Sequence, residues 1–202
     1  MKHPDDVIFL WLADNIDSTK LALDIGSKYG AWTKKLQQHI PNLQVVQFEP
    51  RTQDPNVQKL ALSDQTGTLD FYVDLDKKGW SSLVRQQATT NYQVIQVKVD
   101  CLDNLNYNNV GFIKIDVEGN ELHTLRGAEK TIVRDRPVIY FECADSHLIT
   151  QDYTCTDLYT WFNDIGYTVY DLDDVVCPLE RFREWSAIET GPWYHNFIAK
   201  HD

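Results

Sequence analysis

Acids and glycines recur where apolar runs of this sequence end, at the spacing of a nucleotide-cofactor site. The stretch from Leu21 to Gly30 opens with a short apolar run that carries Asp24, breaks at Gly26 and reaches Gly30 before a helical pattern begins. A glycine turn lets a ligand approach bare backbone, and the helix that follows offers it unpaired N–H groups. The next apolar run, Leu43 to Phe48, ends on Glu49, about 25 residues after Asp24. A carboxylate there can accept from both hydroxyls of a ribose. Dinucleotide sites use Gly-x-Gly-x-x-Gly, whereas here only Gly26 and Gly30 are present and an acid stands beside them. Asp24 is ill suited to a pyrophosphate. It suits a cofactor with a cationic amino acid end, such as S-adenosylmethionine (SAM), which carries an α-amino group and a sulfonium. The turn residues Gly26, Ser27, Tyr29 and Gly30 are the expected cradle, with Glu49 opposite.

Three further runs end in groups that can move or hold a proton. Val57 to Leu62 closes on Ser63 and Asp64, where a carboxylate or its backbone can receive an adenine amino group; a turn-forming Asp is the alternative. Val110 to Ile115 closes on Asp116-Val117-Glu118-Gly119-Asn120-Glu121, and Val138 to Phe141 on Glu142. Methyl transfer from a sulfonium is an in-line displacement that needs chiefly alignment. A hydroxyl is a poor nucleophile and needs a base or a metal as well. Asp116 is the first candidate base, because the end of a central parallel strand lies beside the cofactor crevice; Glu118 follows, with Glu142 and His195 behind. Asp116 with Glu142 alternatively offers carboxylates to Mg²⁺. His147 follows Glu142 closely enough to share the crevice. Acids at a helix start also stabilise the helix, which is the competing account of Glu118 and Glu121.

These groups need a sheet with its strand ends aligned. The runs at 21–25, 43–48, 57–62, 110–115 and 138–141 read as buried strands. Segments 66–74 and 92–99 alternate and read as two further β segments. Helices are expected at 4–14 (with a strand at 7–12 as the alternative), 29–40, from Leu122 through Ile132, and at 156–164; the usual helix after Glu49 is missing. Strands near 167–171 and 195–199 complete the chain. The order predicts an α/β three-layer sandwich with a mainly parallel sheet and an antiparallel last strand. At 202 residues one domain is expected, spanning 1–202. A net charge of −11 and a pI near 4.9 argue against nucleic acid or an anionic membrane as partner. No apolar run of about 18 residues and no secretion signal is present, so a cytoplasmic protein is expected. The four scattered cysteines suggest neither zinc nor disulfides.

Three blocks together resemble the FkbM family of SAM-dependent methyltransferases: Leu-Asp-Ile-Gly-Ser-Lys-Tyr-Gly at 23–30, Phe-Glu-Pro at 48–50 and Phe-Ile-Lys-Ile-Asp-Val-Glu-Gly-Asn-Glu at 112–121. Ala-Leu-Ser-Asp at 61–64, Ser-Ser-Leu at 81–83 and Arg-Pro-Val-Ile at 136–139 fall where that family has similar elements. Ser27-Lys28-Tyr29 departs from the more usual Ala-Asn-x turn. The resemblance implies a Rossmann-like class I methyltransferase fold, SAM held by Asp24, Gly26, Glu49 and Asp64, and O-methylation of a hydroxyl on a sugar or glycan. Trp80, Trp185, Trp193 and Tyr194 are then candidates to stack on a sugar face, and the Lys77–Leu83 loop a candidate lid. A dinucleotide-dependent oxidoreductase and a SAM-binding module without turnover are the rival readings.

Overall fold

In the computed structural model, residues 4–77, 80–87, 90–188 and 195–201 are described. Among them the main sheet has six strands in the order β2-β1-β6-β7-β9-β8. These are β1 (Leu21–Ile25), β2 (Val45–Phe48), β6 (Val110–Ile115), β7 (Val138–Glu142), β8 (Tyr167–Tyr170) and β9 (Asn196–His201). β2, β1, β6 and β7 run parallel, and β9 is antiparallel to both neighbours. The fold is thus mixed α/β with a mostly parallel central sheet.

Neighbouring residues of each central strand face opposite ways, and both faces are apolar. Ala22, Phe112, Tyr140 and Ile198 pack with α1 (Pro4–Asn15) and α2 (Ala31–His39) through Ile8, Phe9, Leu12 and Leu36. Leu23, Ile113, Ile139 and Phe197 form the larger cluster with Leu122, Ile132, Leu158 and Phe182. Those four come from α3 (Glu121–Arg126), α4 (Glu129–Asp135), α6 (Cys155–Asp164) and α7 (Leu179–Ser186). Burial on both faces is why the central strands read as continuous apolar runs. Residues 4–14 are helical, as first expected, and the Val7–Leu12 strand alternative is not taken.

The third run behaves differently from expectation. Gln58 bridges Phe48 at the edge of β2, but β3 is only Ala61–Leu62 and pairs with β5 (Tyr92–Asp100) in a second sheet, order β3-β5-β4, with β4 at Gly67–Asp74. β3 is held there by α3: Asn120 Nδ2 and Thr124 Oγ1 donate to the Leu62 carbonyl at 3.2 and 2.9 Å. That close approach also explains why the helical pattern after Glu121 breaks into α3 and α4. A Cβ on Gly127 would stand 1.9 Å from the Ser63 carbonyl oxygen, so only glycine fits between them. α5 (Asp145–Leu148) and α7 were not anticipated from periodicity, whereas α6 starts at a Thr154–Asp157 capping box. No helix among the described residues is long and apolar enough to cross a membrane.

Gly127→Ala should therefore force the β3 end and the α3–α4 junction apart and cost about 1–3 kcal/mol. Urea unfolding checks this, and a midpoint equal to that of the wild type would contradict the close-packing account.

Candidate functional site

Lys114 lies in the middle of β6, 3% exposed, directly in register with Asp24 of β1. Its Nζ is 3.1 Å from Asp24 Oδ1 and 3.3 Å from Asp116 Oδ2, and donates to the Gly26 carbonyl at 3.2 Å. Burial opposes its charge, but the Asp116 and Asp24 carboxylates outweigh burial and hold the ammonium above its ordinary pKa. Thr33, in the first turns of α2, donates to the other oxygen of Asp24. Asp24 is itself only 1% exposed and does not line the crevice beside it. It meets that crevice only through Lys114. Asp116, with its side chain 40% exposed, carries the same ion pair out to the crevice wall. The sequence signal for Lys114 is a lysine inside an otherwise apolar strand.

The glycine turn and Glu49 form the opposite wall. Gly26 and Ser27 N–H groups both donate to the Phe48 carbonyl, at 3.0 and 3.1 Å, which brings the ends of β1 and β2 together. Gly26 has φ +80°, and a Cβ there would stand 1.9 Å from the Asp116 carbonyl oxygen. The turn therefore fits against the end of β6 only as glycine. Glu49 accepts from the Lys28 and Arg51 backbone N–H groups at 3.1 and 3.0 Å, one on each oxygen. Burial raises its pKa against the pull of these bonds. The crevice between the walls has a volume of about 790 Å³, with Leu62 and Leu83 among its lining residues. Ser27 is buried, and its Oγ has no hydrogen-bond partner among the described residues. Tyr29 is 78% exposed, at the mouth.

A loop over the mouth is stitched down on two sides. Arg51 Nη1 donates to Ser81 Oγ at 2.9 Å, Ser82 Oγ to the Val117 carbonyl at 2.8 Å, and Gln86 Nε2 to the Glu118 carbonyl. This is the segment expected as a lid, of which Lys78 and Gly79 lie outside the described residues.

Glu118 and Glu142 meet at the imidazole of His147, not at Asp116. His147 Nδ1 stands 3.4 Å from Glu118 Oε2 and 3.5 Å from Glu142 Oε2. Asp116, offered above with Glu142 as an alternative holder of Mg²⁺, already faces a cation, Lys114. Burial raises the pKa of Glu118 well above the usual range, and Glu142 and Asp116 add to it. Glu121 turns inward and accepts from the Val117 and Gly119 N–H groups, closing the strand-to-helix turn; burial and then Glu142 push its pKa up to about 7. His195 is next to this group, its carbonyl accepting from Cys143 N at 2.7 Å, and burial lowers its pKa.

Ser63 and Asp64 are placed apart from the crevice. Ser63 lines a neighbouring hollow, and Asp64 Oδ2 is 2.8 Å from His123 Nδ1. The cause is β3, which leaves the main sheet and carries its end toward α3. Trp80 packs against His147, centroids 5.2 Å apart, beneath the Lys77 ammonium. Trp185 stacks under Arg181 and beside Phe197, away from the crevice walls. Trp193 and Tyr194 lie outside the described residues.

A family model described as "Methyltransferase FkbM domain" matches residues 24–169. Among solved structures, the chain is similar to the methyltransferase FkbM from Methylobacillus flagellatus KT, with a TM-score of 0.54 and 16% identity. The likeness covers 90% of this chain and 43% of that one, so this chain spans less than half that relative's length. At such identity the likeness shows the fold. Among curated proteins none matches.

Breaking the buried pair by Lys114→Met leaves Asp24 uncompensated and should cost about 3–5 kcal/mol. Asp24→Asn combined with Lys114→Met should recover part of it, as no buried anion then remains. Denaturant unfolding of both variants decides, and a Lys114→Met protein as stable as the wild type would contradict the assignment.

Proposed function

The chain belongs to the FkbM methyltransferase family, and from that premise we propose that it transfers the methyl group of SAM to a hydroxyl oxygen of a sugar or glycan. The observation that carries the cofactor assignment is the Glu49 carboxylate, held by two backbone N–H groups beside the glycine turn, on the crevice wall that faces Asp116. A ribose with two adjacent hydroxyls fits that carboxylate, and the unpartnered Ser27 Oγ gives a polar end a bond to make. The sheet with apolar clusters on both faces supports the three-layer class I arrangement of this reading.

When bound, SAM supplies an electrophilic methyl group on a sulfonium. The residues of this chain do the rest. Gly26 and Ser27 let the amino acid end approach backbone, and Glu49 fixes the ribose. Leu62 and Leu83 give the crevice apolar lining that disfavours water. Asp116, fixed by Lys114, takes the proton of the acceptor hydroxyl onto its exposed carboxylate as that oxygen attacks. Glu118, held protonated more readily than an ordinary carboxylate, lines the same wall and offers the acceptor a hydrogen-bonding partner. Both acids suit a polyhydroxylated acceptor.

SAM or S-adenosylhomocysteine at 100 times its dissociation constant should stabilise the fold by about 2.7 kcal/mol, read by thermal shift and calorimetry. Glu49→Ala should abolish that shift. Asp116→Asn should keep it while methyl transfer to a responsive acceptor falls by about 10²–10⁴-fold. Stabilisation by NADH in place of SAM would overturn the reading in favour of an oxidoreductase.

A further inference from the structure

The Glu118–Glu142–His147 group is built on three separate elements, the turn after β6, the end of β7 and α5, yet it converges on one point. One ligand atom from each lies within 4.8 Å of the others. Glu118 Oε2 and Glu142 Oε2 are both shielded from solvent, and neither has a hydrogen-bond partner among the described residues. The imidazole aimed between them, its side chain 8% exposed, stands at 3.4 and 3.5 Å. Those separations are long for a charge-assisted hydrogen bond, which favours about 2.7–2.9 Å. They fall within the range for two ligands on one ion: atoms each about 2.2 Å from a common cation and about 90–110° apart lie about 3.1–3.6 Å from each other. Glu118 is presented from a left-handed backbone, φ 56°, with its carbonyl held by Gln86 and with Gly119 following at φ 96°. A Cβ on that glycine would meet the His147 carbonyl at 2.6 Å, so the turn is packed directly on the element that carries the imidazole.

We propose that Glu118, Glu142 and His147 form a binding site for one divalent cation of the Mn²⁺ class. Two carboxylates and one imidazole suit a cation of intermediate softness better than Mg²⁺, which prefers oxygen and its own water. Glu118 also lines the crevice, which sets the site beside the wall that carries Asp116. Its use there rests on the methyl-transfer reading: a bound cation lowers the proton affinity of a coordinated acceptor hydroxyl, which then gives its proton to Asp116. The binding itself does not depend on that reading.

The full chain, stripped with chelator, is titrated with Mn²⁺ in the absence of SAM and followed by calorimetry and by the electron spin resonance of free Mn²⁺. One Mn²⁺ per chain is expected, with Mg²⁺ at least tenfold weaker. Glu142→Gln and His147→Ala should each weaken Mn²⁺ at least tenfold, while His123→Ala, which alters the separate histidine–aspartate pair, leaves it within threefold. Circular dichroism separates a lost ligand from a lost fold. Should either variant fail to fold, amide and indole resonances of the wild type decide: Mn²⁺ should broaden Glu118, Glu142, His147 and the Trp80 indole first. No saturable binding up to about 1 mM, or broadening centred elsewhere, would overturn the site. Mn²⁺ binding without SAM binding would remove the functional reading and leave this site standing; SAM binding without Mn²⁺ does the reverse.

Discussion

A lysine ammonium in the middle of a buried parallel strand is the constraint on which the rest of this structure turns. An unpaired charge at that depth would be prohibitive, and it becomes tolerable only when anions and hydrogen-bond acceptors surround it. Asp24 supplies one anion from the neighbouring strand, Asp116 the other from two residues along, and the Gly26 carbonyl the third contact. Each partner also belongs to the functional wall or stands directly behind it. The ion pair thus ties the glycine turn, the end of β6 and the first turn of α2 into one rigid unit.

That unit lies where the sheet changes direction of winding. From β1 the chain crosses through α2 to β2 at one edge, and later from β6 through α3 and α4 to β7 on the other side. Ligands of open α/β sheets bind outside the carboxyl ends of such a strand pair. Here the crevice has an acid on each wall, Glu49 and Asp116, with Lys114 between them at its base. In the proposed reaction one wall takes the hydroxyls of a ribose and the other the proton of an acceptor. The loop carrying Ser81 and Ser82 joins both walls through Arg51 and Val117.

The strands of the main sheet were legible because burial on both faces leaves an apolar run with little ambiguity, as at Val110–Ile115. Glu49 was legible because it ends such a run at the right distance from a glycine turn. Lys114 was not, since its partner lies 90 residues away in sequence and only strand register brings them together. The placement of Asp64 failed for a related reason: nothing in Val57–Leu62 reveals that Asn120 and Thr124 capture the end of that strand. The meeting of Glu118 with Glu142 and His147 depends on a left-handed residue, Glu118 itself, that the strand pattern conceals, although each of the three side chains is a candidate from the sequence alone. The break of the Leu122–Ile132 helix at Gly127 was not legible either, because its cause is a backbone oxygen, that of Ser63, from another part of the chain.

The central claim is that the crevice framed by the glycine turn, Glu49 and the Lys114-anchored Asp116 is the seat of methyl transfer. A crystal structure of the chain with S-adenosylhomocysteine tests it most directly. The account predicts the ribose hydroxyls on the Glu49 carboxylate, the amino acid end over Gly26 and Ser27, and the sulfur facing Asp116. Density for the ligand in the hollow beside Ser63 and His123, or with the ribose away from Glu49, would contradict it.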